Sequence, residues 1–194
     1  MAGRRILAVS GSLRAGSYNT ALLRAAADLV PEDASMELLE PAILAGIEPF
    51  SSDGEDAPSD AVHAWRRELR AADAVLFATP EYNGSFPGHL KNALDWASRS
   101  DSDTAGLAGS ALYGRDVAVV SASTGQFGAV WAQDALRTVL GRQGARVVDG
   151  PKVAVPRAAE AFANDDSLSD SGQATRLREL IGQLLAATEA IAAG

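Results

Sequence analysis

Short apolar runs alternate along this chain with segments whose apolar residues recur at helical spacing, and this alternation limits the fold more than any other feature. Residues 6–9 (ILAV) form such a run, the mark of a strand covered on both faces. In the segment 20–30 that follows, Leu22, Ala25, Ala26 and Leu29 fall at i, i+3, i+4 and i+7, one face of a helix. Residues 35–39 (SMELL) are predicted as a second strand, and Val62, Trp65, Leu69 and Ala72 mark a helix over about 59–71. Residues 73–79 (DAVLFAT) carry the strongest strand signal, before a helix starting near Pro87, a residue favoured at the first helical position. Leu90, Ala93, Leu94 and Ala97 form that helix's apolar face. Residues 116–121 (DVAVVS) are a further strand, and 128–142 a helix with Trp131, Ala135 and Val139 at i+4 steps. Residues 145–155, with Asp149–Gly150 inside, cover a last strand or pair of strands. Leu177, Leu180, Ile181, Leu184, Thr188 and Ile191 mark a closing amphipathic helix. The remaining stretches read as a loop over 99–114, a flexible acidic connector over 158–173 and an exposed acidic loop at 51–60. About five strands alternating with five helices predict an α/β fold: a doubly wound parallel sheet, helices on both faces, one domain over residues 1–194.

Composition removes whole classes of chemistry. The chain has no cysteine, which excludes disulfides, thiolate catalysis, cysteine-ligated zinc and ordinary iron–sulfur clusters. Its two histidines, His63 and His89, lack metal-ligand spacing, and no metal site is expected. Redox chemistry therefore requires a bound organic cofactor. A formal charge of −8 with no basic stripe argues against nucleic acid and anionic membranes. No apolar run approaches the ~18 residues of a membrane span. The first residues lack the apolar stretch of a signal peptide, so a cytoplasmic location is expected.

In wound sheets ligands bind beyond the carboxyl ends of the strands, where strand order reverses. Three loops leave predicted strand ends with unusual composition: 10–19, 79–88 (TPEYNGSFPG) and 121–128 (SASTGQFG). The first joins a strand to a helix, aiming backbone N–H groups and the positive helix end at one point, with Ser12, Ser17 and Asn19 as donors and Arg14 as a planar fork. The same stretch also reads as an ordinary turn with Ser17 as N-cap. Neither the dinucleotide G-x-G-x-x-G nor the G-x-x-x-x-G-K-[ST] loop is present, which favours a mononucleotide held by side-chain hydroxyls.

GSLRAGSYN near the start, PEYNGSFPGHLKNALDW after the third strand and SASTGQFG after the fourth together resemble the NADPH-dependent FMN reductase family, over about residues 4–155. Its members are flavodoxin-like flavoproteins that include quinone, azo-dye and chromate reductases. The resemblance implies a five-stranded flavodoxin-like sheet, FMN as cofactor and NADPH or NADH as co-substrate. It implies that Ser12, Arg14, Ser17 and Asn19 hold the FMN phosphate. Pro80, Glu81, Tyr82, Asn83 and Gly84 would run along the isoalloxazine, and Ser123, Thr124, Gly125 and Gln126 would approach its pyrimidine side. His89 stands where the family usually has a small or aliphatic residue, and Gln126 where glycine is common, both near the ring site that the resemblance implies, so the resemblance does not carry over a substrate preference.

Each of these residues also has a plainer reading. Glu81 reads as a solvated carboxylate or an acid/base, Tyr82 as packing or a ring contact, and Asn83–Gly84 is a turn signal whatever binds. His89 reads as an interface or packing residue, and Trp96 as core or a dimer contact. The expected activity is hydride transfer from NAD(P)H to bound FMN and then, ping-pong, to a flat oxidant (flavin, quinone, azo dye or metal oxyanion), with no catalytic side chain required. A homodimer or homotetramer is expected from the resemblance, through the helix carrying His89 and Trp96. The alternative from another class is a flavodoxin-like electron carrier reduced by a partner protein, for which the acidity suits a basic docking face. Two further possibilities are a cofactor-free module on the same fold and a reductase that delivers reduced FMN to a monooxygenase.

Overall fold

The computed structural model describes residues 3–99, 106–162 and 167–192, with side chains to residue 188. In chain order the elements are β1 (Arg4–Ser10), α1 (Tyr18–Ala27), β2 (Ala34–Leu38), α2 (Pro41–Ala45), α3 (Asp60–Ala71), β3 (Ala74–Ala78) and α4 (Gly88–Ala97). Then come β4 (Asp116–Ala122), α5 (Val130–Arg142), β5 (Arg146–Val147), β6 (Ala154–Val155), α6 (Ala158–Ala161) and α7 (Ser171–Ala192). The strands are parallel in the order β2-β1-β3-β4-β5, with β6 pairing the far end of β4. This is the flavodoxin-like order, in which the chain winds one way from β1 to β2 and the other way from β3 onward.

Alternation along the strands divides the core. Leu7, Val9, Val75, Phe77, Val117 and Val119 face α3, α4 and α5, where Trp65, Leu69, Leu90, Leu94, Leu136 and Leu140 pack. Ile6, Ala8, Ala74, Leu76, Ala78, Ala118 and Val120 face α1 and α7, against Leu22, Leu23, Leu177, Leu180 and Leu184. β3 and β4 are buried at every residue, which is why β3 reads as an unbroken apolar run and β4 as one broken only by Asp116 and Ser121.

The predicted last strand is a pair. β5 occupies the start of β4's outer side (Asp116↔Arg146) and β6 its end (Ser121↔Ala154), with Asp149–Gly150 in the break. At the start, the Arg146 guanidinium forks onto buried Asp116 at 2.9 and 2.8 Å, and this carboxylate holds the Arg146 pKa above its ordinary value.

Several expectations are corrected. In α5 the i+4 stripe of Trp131, Ala135 and Val139 borders the core, with Trp131 50% exposed, while the buried face is Ala132, Gln133, Leu136 and Leu140. The helix α4 does begin near Pro87, which is its N-cap rather than its first residue. The short α2 has no counterpart in the sequence reading. Residues 158–161 of the predicted connector form α6, with Ala158 fully buried; residues 163–166 lie outside the described residues. Residues 100–105 of the predicted loop also lie outside them, whereas Ala111 and Leu112 beyond are core. No described helix is long and apolar enough to cross a membrane, and no described acidic or histidine cluster suits a metal.

Candidate active site

The loops after β1, β3 and β4 surround a cavity of about 380 Å³, within the range of small-molecule sites. Its wall contains Ser12, Arg14, Ser17 and Asn19 from the first loop, Pro80, Glu81 and Tyr82 from the second, and Ser123 and Thr124 from the third. Tyr18 and Ala122, which the sequence reading did not single out, complete it. Asn83, Gly84, Gly125 and Gln126 are exposed and outside the cavity wall.

The first loop is built largely from its own side chains. Ser10 Oγ and Thr20 Oγ1 are hydrogen-bonded at 2.9 Å, closing the loop across its base. Ser17 is the N-cap of α1: its Oγ accepts from the Asn19 N–H at 3.2 Å, so the cap reading of this stretch holds. Ser12 and Ser17 are buried residues of the cavity wall. Arg14 is exposed, its guanidinium 5.5 Å above the Tyr18 ring, which in turn stacks on Phe162 at 6.0 Å. A positive group is thus held at the mouth, above the positive end of a ten-residue helix.

The second loop folds back on itself as a tight hairpin. The Tyr82 N–H donates to the Ser85 carbonyl (2.8 Å) and the Ser85 N–H to the Tyr82 carbonyl (3.1 Å). Asn83 and Gly84 between them have φ of 54° and 76°, the signature of a type I′ turn, which Asn-Gly adopts at least cost. This turn holds Tyr82, 52% exposed, at the cavity edge. Glu81 contributes a buried Oε2 with no partner in the protein.

His89, in the first turn of α4, lies outside the cavity wall. Burial pushes its pKa below 6.5, a hydrogen bond to the Gly11 backbone pulls the other way, and its Nε2 is buried without a partner. Trp96 is core: it is 1% exposed and its Nε1 donates to the Glu48 carbonyl at 2.9 Å.

The third loop is held from outside itself. The Ser121 N–H donates to Val153 O (3.1 Å) and the Ser123 N–H to Val155 O (3.0 Å). Ser123 O and Gly125 O accept from the Ala158 and Arg157 N–H groups, each at 3.0 Å. Ser121 Oγ donates to Gly128 O, while buried Gln133 Nε2 donates to Ser121 Oγ (2.6 Å) and Val153 O (2.7 Å). Gly128 has φ 61°, and a Cβ there would lie 2.7 Å from the Ala154 carbonyl carbon.

A parallel flavodoxin-like sheet with a cationic, hydroxyl-lined cleft at its switch point defines the class: a mononucleotide-binding α/β protein. Over residues 4–160 the chain matches the NADPH-dependent FMN reductase family, and it belongs to that family. It is accordingly a flavoprotein oxidoreductase with FMN as cofactor and NAD(P)H as reductant. It is 40% identical to an NAD(P)H-dependent FMN reductase of Pseudomonas aeruginosa, over 95% of this chain and 93% of that protein. It is 36% identical to a quinone reductase of Pseudomonas putida, over 85% and 84% of the two. Among solved structures it superposes on a flavoenzyme NAD(P)H:(acceptor) oxidoreductase of Paracoccus denitrificans with a TM-score of 0.84 and 29% identity, covering 96% of this chain and 98% of that one.

Proposed function

We propose that this chain, as a single domain over residues 1–194, reduces a flat oxidant of the quinone or flavin type at the cavity between its three loops. The observation that carries the reading is the meeting of these loops around one cavity with a cation and two buried hydroxyls beside a helix N-terminus. That donor set fits FMN. Arg14, Ser12 and Ser17 would hold a dianionic phosphate, for which a fork, hydroxyls and a helix N-terminus are suited. Pro80, Glu81, Tyr82, Asn83 and Gly84 would run beside the ring, and the unpartnered Oε2 of Glu81 is an acceptor for a ring N–H. Ser123, Thr124, Gly125 and Gln126 would stand on the pyrimidine side. When bound, FMN supplies hydride chemistry, in a ping-pong sequence where NAD(P)H and then the oxidant use the same exposed face. The protein's own part is to grip, orient and keep water from one side of the ring; Tyr82, fixed by its turn, walls the entrance.

The working form is proposed to be a cytoplasmic homodimer or homotetramer. With Trp96 buried, Phe127 and Trp131, packed edge-to-face at 5.1 Å beside the third loop and 54% and 50% exposed, are the better candidates for the contact. Sedimentation showing a monomer at micromolar concentration removes that part of the proposal. The activity is tested by the visible spectrum of the purified protein and its anaerobic titration with NADH and NADPH. Direct bleaching is expected; a yellow protein bleached only through another redox protein is a carrier instead.

A further inference from the structure

Asn19 sits in the first turn of α1 and is 3% exposed. Its Nδ2 donates to the carbonyl of Ala122 at 3.0 Å, and its Oδ1 accepts from the N–H of the same residue at 2.9 Å. The reason lies in the sheet. Backbone groups point to alternate sides along a strand, and Ser121 and Ser123 point theirs at the β6 side. Those of Ala122 therefore face the β3 side, but β3 ends at Ala78, and the next bond across is from Thr79 N–H to Val120 O. Beyond that point no strand stands opposite Ala122. The Asn19 amide supplies the two bonds that a neighbouring strand would have made, and without it a donor and an acceptor are buried unpaired.

We infer that Asn19 is a positioning residue for the third loop, acting through Ala122 on the adjoining Ser123 and Thr124, and is not primarily a phosphate ligand. Its acceptor and one donor are engaged by Ala122, leaving one N–H for anything else. The inference rests on the reading that the cavity holds FMN. It has a consequence that a phosphate ligand does not share: loosening the third loop weakens every ligand seated against it, whether or not that ligand carries a phosphate.

The test is the ratio of two affinities. FMN and riboflavin, which lacks the phosphate, are titrated into apoprotein for wild type, Asn19→Ala and Asn19→Ser, with Arg14→Ala as the phosphate-specific control. Asn19→Ala is expected to weaken both ligands by about tenfold, leaving their ratio within about threefold of wild type. Arg14→Ala is expected to weaken FMN alone. A loss confined to FMN in the Asn19 variants, or no loss of either ligand, overturns the assignment. Asn19→Ser leaves a smaller polar side chain, and it answers the question if the alanine variant does not fold. Hydrogen exchange of the wild-type apoprotein is the arm that needs no variant. The Ala122 amide must exchange more slowly than that of exposed Thr124, and equal rates reject the clamp. If wild type binds neither flavin, the FMN reading fails, while the exchange measurement still judges the clamp.

Discussion

The first and third loops line the same cavity but are made in opposite ways. The first is fixed mainly by partners close in sequence (Ser10 to Thr20, Ser17 to Asn19, Arg14 over Tyr18), with the Gly11 N–H to Ala78 O (2.7 Å) tying its start to the sheet. The third, exposed from Thr124 to Phe127, takes its shape from Asn19, Gln133, Val153, Val155, Arg157 and Ala158. A loop held mainly by its own neighbours depends less on the rest of the molecule. A loop held by remote segments exists only once the sheet and its last strand are in place.

Four substitutions break or sharpen this contrast. Gly128→Ala should do the most damage, because its Cβ meets the backbone of Ala154 and Val155 at 2.7–3.0 Å and φ is 61°. A loss of about 2–4 kcal/mol in urea unfolding is expected, with flavin binding impaired through the third loop. Arg14→Ala leaves the fold intact and costs about 1.5–3 kcal/mol of FMN binding, read by fluorescence titration. Unchanged FMN affinity would show that Arg14 does not meet the phosphate. Ser17→Ala removes the α1 cap and is expected to lower the unfolding free energy by about 1 kcal/mol while the third loop keeps its hydrogen-exchange pattern. If the third loop loosens too, the first loop is less self-contained than its bonds indicate.

The smallest effect concerns pH. Burial lowers the His89 pKa in the folded protein, whereas the unfolded ring takes a proton near 6.5. Its contribution to stability is therefore full above 6.5 and falls as pH is lowered through that value toward the depressed folded pKa. His89→Leu should flatten the melting temperature between pH 7 and pH 5 (roughly the range over which an ordinary histidine titrates). An unchanged slope would assign the acid sensitivity to other groups.

What could be read from sequence follows the same division. β3 and β4 announce themselves because burial on both faces leaves runs of apolar residues, and the two polar positions of β4, Asp116 and Ser121, are both hydrogen-bonded. The Ser17 cap and the Asn83–Gly84 turn are local devices and are legible as such. The stripe of Trp131, Ala135 and Val139 is helical but borders the core rather than forming it, because helical spacing reports which residues share a face, not which face meets the core. An amide beside a helix N-terminus reads as an anion donor, whereas the bonds of Asn19 to Ala122 are not legible because that partner lies 103 residues away. The five residues of α2 are too few for periodicity to register.

The interrupted last strand also limits how copies of this protein can join. On one border of the sheet β5 and β6 are two residues each, separated by a stretch containing Pro151, which has no N–H to offer. On the opposite border, β2 carries Glu37, ion-paired to Arg5 at 2.8 Å. Neither margin presents a long, flat ribbon of free amides for another chain to extend. Self-association by strand addition is thereby discouraged, which leaves the exposed side chains, Phe127 and Trp131 among them, as the means by which copies could meet.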